Sequence, residues 1–213
     1  MRWTTAVRQL EKVAAGCAHA ARLPFLGLRV DEAWVHGRLL GPRAEDVPDD
    51  AVAVALVCDA QRADVPWGRA PAGAQHWLGA AGLATLPVAV VFRSAAGPVA
   101  GHAVQRPVRF WSREGGADED VLGAVRDGGA GRLRPPAPEP ERAAAGLAEE
   151  ARVSLAALRR ASADYREHRW GGGSPVARAD VLADLVAGWL DLLDAGATGL
   201  TAPPPGAPGG RGS

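Results

Sequence analysis

Two short apolar runs, residues 51–58 (AVAVALVC) and residues 87–92 (PVAVVF), most constrain the fold of this chain. Neither run alternates between polar and apolar residues, and both are rich in valine, which favours strands. Such a continuous run is typical of a strand with both faces buried, in the interior of a sheet covered by helices. The sequence therefore predicts an α+β fold in which both runs are interior strands and residues 51–58 form the centre of the sheet.

Two further segments predict the flanking strands of a mixed sheet of about four strands. Residues 28–39 mix polar and apolar side chains at a two-residue period, which indicates a strand with one covered face. Residues 104–111 also alternate, but they contain Pro107. Because proline has no N–H to donate to a neighbouring strand, we expect this strand at an edge of the sheet.

Three amphipathic segments predict helices that flank the sheet. Residues 4–22 carry one apolar stripe, and Thr4 or Thr5 is the expected cap of the first turn. Residues 71–83 suit a short helix with proline near its start and glycine near its end. Residues 118–126 begin with three acidic side chains, which the N-terminus of a helix favours.

The C-terminal part of the chain predicts two long helices. Residues 141–169 carry an apolar stripe at helical spacing, and the glycines at residues 171–173 end it. Ser174 and Pro175 suit the cap and first position of a second amphipathic helix that continues to about Ala195. Two such helices joined by a short turn predict an antiparallel helical hairpin.

Composition along the chain predicts the domain boundaries. A stretch dense in glycine and proline precedes the hairpin and indicates a linker, and the extreme C-terminus has almost nothing to bury. The predicted units are an α/β domain at residues 1–130, a helical hairpin packed on it at residues 138–196 and a disordered tail at residues 197–213.

Charge and cysteine usage narrow the classes of function. The chain has 24 Lys and Arg against 24 Asp and Glu, so no overall positive field draws it to nucleic acid or to an anionic membrane. Cys17 and Cys58 are too few for a disulfide framework, and we expect both to be buried thiols. No segment resembles a membrane span or an apolar signal region, which predicts a cytoplasmic protein.

Several catalytic motifs are absent from the sequence. It contains no G-x-x-x-x-G-K-[ST], G-x-G-x-x-G, H-E-x-x-H or G-x-S-x-G, so P-loop, dinucleotide, zincin and serine-hydrolase sites lack support. The five histidines are scattered singly, without an acidic or cysteine partner at ligand spacing. We therefore predict neither a metal site nor a bound cofactor.

One arrangement resembles a known active site. The segments VDEAWVHGRLLGP and DDAVAVALVCD are similar to the opening of nucleotidyltransferase-like domains, where a strand ends in Gly-Ser and the next carries two metal-binding carboxylates. Gly37 matches the glycine, and Arg38 stands in place of the serine. Asp50 matches the first carboxylate, and Val52 stands in place of the second. Since one carboxylate cannot assemble a two-metal site, the resemblance implies a nucleotidyltransferase-like fold without transfer chemistry.

A second resemblance covers nearly the whole chain. The opening LPFLGLRV and the segments PW and AGAQHW are similar to an actinobacterial family of unknown function. The nucleotidyltransferase-like resemblance covers residues 4–92, and a helical bundle after the α/β part is in keeping with it. The longer resemblance implies no activity.

Three hypotheses about function follow from these features. The first is a non-catalytic nucleotidyltransferase-like binding or regulatory protein. The second is an enzyme of unrecognised type whose cleft lies at a strand end, where ligands collect in α/β sheets. The third is a homodimer formed through the apolar stripe of the last helix, between Leu182 and Leu193. The candidate ligand-binding residues of the cleft are His36, Gly37, Arg38, Asp50 and Asp59.

Overall fold

Five strands form one mixed sheet in the computed structural model, which describes residues 1–48, 51–168 and 175–201. Their order across the sheet differs from their order along the chain. Strand β1 pairs antiparallel with β2 and β4, β2 pairs parallel with β3, and the sheet order is β3-β2-β1-β4-β5. The mixed α+β fold is confirmed. The strands are β1 (Val30–His36), β2 (Ala53–Cys58), β3 (Ala89–Ser94), β4 (Val108–Ser112) and β5 (Gly116–Ala117).

The interior position of β2 confirms one prediction. Val54 and Leu56 face one side of the sheet and Ala55 and Val57 the other, and all four are at most 5% exposed. A continuous apolar run is therefore what this strand requires. The centre of the sheet, however, is β1, because β2 has only β3 beyond it.

Two predictions about edges were wrong. Strand β3 is an edge strand, and its buried half is covered by other parts of the chain, with Arg93 contacting the helix that carries Glu150. Strand β4 is not an edge strand, because Pro107 immediately precedes it and the short β5 pairs with its outer side. The predicted burial of both faces of the run at residues 87–92 was also wrong, because Ala89 is exposed and Val90 and Val91 are only half-buried.

The first helix, α1 (Trp3–Ala20), packs its apolar stripe into the core. Its ends agree with the predicted segment, but neither Thr4 nor Thr5 caps it, because both lie inside the first turn. Arg2 occupies the cap position, and the N–H of Trp3 donates to the carbonyl of Glu45 at 3.2 Å. The backbone carbonyl of Glu45 thus accepts from an N–H group at the start of the helix that a capping side chain usually satisfies.

Two short helices complete the α/β part. Helix α2 (Ala74–Ala80) places Trp77, which is 1% exposed, in the core. Helix α3 (Glu119–Arg126) is capped by Asp118, whose carboxylate accepts a hydrogen bond from the N–H of Val121 at 3.0 Å. Both helices confirm the sequence-based assignment, since local capping and glycine signals determine short helices well.

The C-terminal helices α4 (Pro140–His168) and α5 (Pro175–Thr201) form the predicted antiparallel pair. Arg178, near the start of α5, donates to the carbonyl of His168 at 3.1 Å, and Gly196, near its end, lies beside Leu147 near the start of α4. The predicted glycine turn, the Ser174 cap and most of the predicted tail lie outside the described residues. We call α4 and α5 the hairpin.

Candidate functional site

Among the predicted cleft residues that the structure describes, His36 and Asp59 lie at opposite ends of the sheet. His36 ends β1 opposite Ala53, the first residue of β2, because the two strands are antiparallel. Asp59 follows the last residue of β2, six residues beyond Ala53 and therefore about 20 Å away along the strand. Its carboxylate accepts a hydrogen bond from the N–H of Arg29 at 3.1 Å. The structure thus does not bring Asp59 together with His36.

The remaining cleft candidates lie near His36 in the chain. Gly37 has φ +73° and begins a 3₁₀ turn at Gly37–Leu40, a conformation that favours glycine. Arg38 is exposed on this turn, whereas Asp50 lies outside the described residues. A left-handed turn and one exposed guanidinium do not by themselves make a catalytic arrangement.

His36 itself is buried, with 9% of its surface exposed. Burial lowers the pKa of His36 to about 4, so its imidazole is neutral at physiological pH. Its Nε2 has no hydrogen-bond partner within the described ranges. The side chain therefore acts as part of the core rather than as a solvent-facing base.

We expect the free energy of unfolding to fall by up to about 3 kcal/mol between pH 6.5 and pH 4 because of His36. Its folded pKa lies below its unfolded value, so its contribution is complete above pH 6.5 and is lost as the unfolded chain takes up the proton. Urea unfolding at several pH values, compared with His36→Phe, measures the difference. A variant with the same pH dependence as the parent would contradict this assignment.

A cluster of buried charges lies at the end of β3, far from His36. Arg93 donates through Nη2 to one carboxylate oxygen of Glu150 on α4, and His102 Nδ1 lies 2.9 Å from the other oxygen. The side chains of Arg93 and Glu150 are 10% and 8% exposed. Arg93 Nη2 also donates to the carbonyl of Pro98 at 3.3 Å.

The electrostatics of this cluster keep Glu150 ionised. Burial raises the pKa of Glu150, but the hydrogen bond from His102 and the charge and hydrogen bond of Arg93 outweigh it, so the pKa lies below its usual value. The loop crosses directly over the pair at Gly101, where a Cβ would overlap a carboxylate oxygen. A larger residue at this position would displace the carboxylate or the guanidinium, so glycine suits the close passage of the loop over the charges.

Other contacts around this cluster join the hairpin to the α/β part. The N–H of Trp67 donates to Ser154 Oγ at 3.2 Å, and the indole meets the His102 ring edge-on with centroids 4.4 Å apart. A Cβ on Gly68 would lie 2.7 Å from the Cα of Gly188 in α5. We call this contact region the hairpin interface; it comprises Arg62, Trp67, Gly68, Arg93 and His102 on one side and Glu149, Glu150, Ser154 and Gly188 on the other.

The buried polar side chains of the hairpin interface are engaged with one another. One carboxylate oxygen of Glu150 accepts from Arg93 and the other contacts His102, so the charge of Glu150 is paired within the interface. The cavity beside them has a volume of about 20 Å³, which is room for one water molecule. Sequence analysis missed this cluster. The sequence did contain one signal, because Glu150 lies four residues before Ser154 on the same face of the helix. A charge that is buried on that face requires a partner.

A larger cleft separates the hairpin from the segment that follows β2. Its volume is about 520 Å³, and small side chains form much of its wall. Three guanidinium groups reach it, from Arg69, Arg160 and Arg178. Sequence analysis did not single out these arginines, because the chain has one lysine and its many arginines give no local signal.

An apolar groove runs along the outer face of the hairpin. Its wall is made by Tyr165 of α4 and by alanine, valine and leucine side chains of α5. Val186, Leu190 and Leu193 are 40%, 52% and 47% exposed, whereas Leu185 on the inner face is fully buried. Helix α5 therefore has two apolar stripes, and only one of them packs within the described chain.

Among the described residues, no helix combines the length and apolar character that crossing a membrane requires. The described residues also contain no group of three or more His, Cys, Asp or Glu side chains that could hold a metal ion.

Comparison with known proteins gives one match. The model of a family described as a domain of unknown function (DUF7711) matches residues 1–198. No curated protein and no solved structure matches the chain. These findings support the resemblance to a family of unknown function, and they give no support to the nucleotidyltransferase-like resemblance or to an actinobacterial origin.

Proposed function

Because the chain belongs to the DUF7711 family, whose function is unknown, we propose from its own geometry that it is a non-catalytic binding protein that works as a homodimer. The hairpin forms the contact between the two copies. The observation that carries this proposal is the exposed apolar stripe of α5.

The arrangement of polar groups supports a non-catalytic role. The buried charges of the hairpin interface satisfy one another, and Asp59 lies at the opposite end of β2 from His36. In the nucleotidyltransferase-like interpretation, Val52 stands in place of a metal-binding carboxylate, and Val52 is fully buried. A buried apolar side chain at that position cannot contribute to metal-dependent transfer.

The exposed stripe supports self-association. Val186, Leu190 and Leu193 share one face of α5 because they are four and three residues apart. A contiguous exposed apolar surface of this kind is uncommon in soluble monomers and marks an interaction site. Covering it removes apolar surface from water, which is the main favourable term in association.

A second copy of the chain is the occupant that fits this groove. The groove is lined by residues without charge, so two identical faces meet without like-charge repulsion. Alanines form hollows and the valine and leucine side chains form ridges, an arrangement that packs against its own two-fold image. Two hairpins joined in this way form a four-helix bundle.

The size of the face is sufficient for a dimer. From Val176, which is 67% exposed, to Leu193 the stripe is about 25 Å long. Two helices side by side are about 20 Å wide, which gives roughly 500 Å² in projection. Accessible area exceeds projected area, so each copy approaches the roughly 800 Å² of a standard interface.

We expect the purified chain to have twice its 22.0 kDa mass in light scattering after gel filtration. Leu190→Asp places a charge in the centre of the groove and should give the single-chain mass with unchanged helical circular dichroism. Ala148→Asp introduces the same charge on an exposed position of α4 outside the groove, and it should remain dimeric. A parent protein that stays at 22.0 kDa at tens of micromolar would refute the dimer.

Incubation with ATP and magnesium tests the absence of transfer chemistry. We expect no nucleotide transfer to protein, nucleoside or water above the rate without protein, and no difference between the parent and Asp50→Ala. Turnover that is lost in Asp50→Ala would overturn the non-catalytic proposal, because it would require a complete metal site around that carboxylate.

A further inference from the structure

We propose that the cleft between the hairpin and the segment after β2 binds a small organic anion through Arg69 and Arg160. The ligand class is a compact molecule that carries a carboxylate or phosphate group. This site is separate from the dimer groove, so the proposal does not depend on self-association.

The charges of the cleft favour an anion. Three arginines and two aspartates line it, and Asp164 is already engaged by Arg178 at 3.6 Å and by His168 at 3.1 Å. Arg69 is exposed, and its guanidinium makes no hydrogen bond or ion pair within the described ranges; only its backbone N–H donates, to the carbonyl of Pro66. The positive charge that remains in the cleft is therefore available to a ligand.

Two of the arginines are held in place. Arg160 Nη2 donates to the carbonyl of Ala63 at 2.9 Å, which fixes its guanidinium at the mouth of the cleft and leaves Nε and Nη1 to bind a ligand. Arg178 is held by Asp164 and by the carbonyl of His168. A guanidinium that is already oriented loses less entropy when it binds a carboxylate or phosphate with two parallel hydrogen bonds.

The shape of the cleft suits the carbon skeleton of a small ligand. Its volume of about 520 Å³ falls within the range of small-molecule pockets, and alanines provide an apolar wall without filling the space. The segment that lines one side follows β2, near the carboxyl ends of the parallel pair β2 and β3. Loops at that end of parallel strands are the usual location of ligand sites in α/β sheets.

Isothermal titration calorimetry at low salt tests the site with two probes, glutarate for a carboxylate and glycerol 3-phosphate for a phosphate. We expect one of them to bind the full-length parent with a dissociation constant below about 1 mM. Glycerol, which lacks the charge, should not bind. The stronger probe identifies the anionic group that the cleft prefers.

Matched variants separate this site from general surface charge. Arg69→Ala and Arg160→Ala should each weaken binding about tenfold or more, whereas Arg159→Ala, an exposed neighbour on α4 that does not line the cleft, should not. Arg69→Ala removes no side-chain hydrogen bond or ion pair of the described chain, so we expect it to test binding without a folding defect. Binding by neither probe, or equal loss in Arg159→Ala, would overturn the proposal. Leu190→Asp, which disrupts the proposed dimer, should bind the anionic probe with unchanged affinity. Failure of anion binding can therefore be distinguished from failure of dimerisation.

Discussion

Glu150→Ala is expected to lower the free energy of unfolding by about 3–5 kcal/mol, the largest effect of any single substitution considered for this chain. Removal of the carboxylate leaves the Arg93 guanidinium buried without a counter-charge, since its side chain is only 10% exposed. The carbonyl oxygens of Pro98 and Ala100 still accept hydrogen bonds from it, but they do not neutralise it. Urea unfolding monitored by circular dichroism measures the loss.

Glu149→Ala is the matched control for this substitution. Glu149 is the preceding residue of the same helix, but its partners Arg62 and Arg152 have side chains that are 32% and 70% exposed. Exposed ion pairs contribute little, so this variant should lose less than about 1 kcal/mol. If both variants lost the same free energy of unfolding, the buried cluster would not be what stabilises the packing of the hairpin on the α/β part.

The pH dependence of the Glu150→Ala effect follows from its lowered pKa. The stabilising contribution of Glu150 is complete above its ordinary pKa of 4.5 and is lost as the pH falls through the lower value of the folded chain. The difference in the free energy of unfolding between the parent and Glu150→Ala should therefore become smaller below pH 4.5. His36 contributes its own dependence to both proteins, so it cancels in this difference.

Local patterns in the sequence predicted the elements of the fold, because helical spacing, capping residues and continuous apolar runs are properties of short segments. They did not predict the position of each strand in the sheet. Residues 87–92 are apolar, but in the edge strand β3 Ala89 is exposed and Val90 and Val91 are only half-buried, and Pro107 does not interrupt pairing because it precedes β4. The division between residues 1–130 and residues 138–196 stays a prediction.

The candidate site was harder to predict, because it depends on contacts between distant segments. Arg93, His102 and Glu150 come from a strand, a loop and a helix, and Arg93 and Glu150 are 57 residues apart. Conversely, His36 and Asp59 are close in sequence, but the antiparallel pairing of β1 with β2 separates them. Chain direction, which the residue types do not determine, decides which side chains meet.

A close backbone contact gives the second large effect. Gly188 in α5 touches the loop of the α/β part so closely that a Cβ would overlap the carbonyl oxygen of Trp67 and approach the Cα of Gly68 within 2.9 Å. These are backbone atoms, so they cannot move aside as a flexible side chain would. The absence of a side chain at Gly188 is therefore what allows the hairpin to lie against this loop.

We expect Gly188→Ala to lower the free energy of unfolding by about 3 kcal/mol, the upper part of the range for overpacked sites. Gly146→Ala in α4 is the matched control, because a Cβ there meets no atom within 4 Å. Alanine is the better helix former by about 1 kcal/mol, so Gly146→Ala should stabilise the chain. The same chemical change is thus expected to have opposite signs in two helices of one hairpin. Urea unfolding of both variants measures this contrast, and stabilisation by Gly188→Ala would contradict the close packing of α5 on the Trp67 loop.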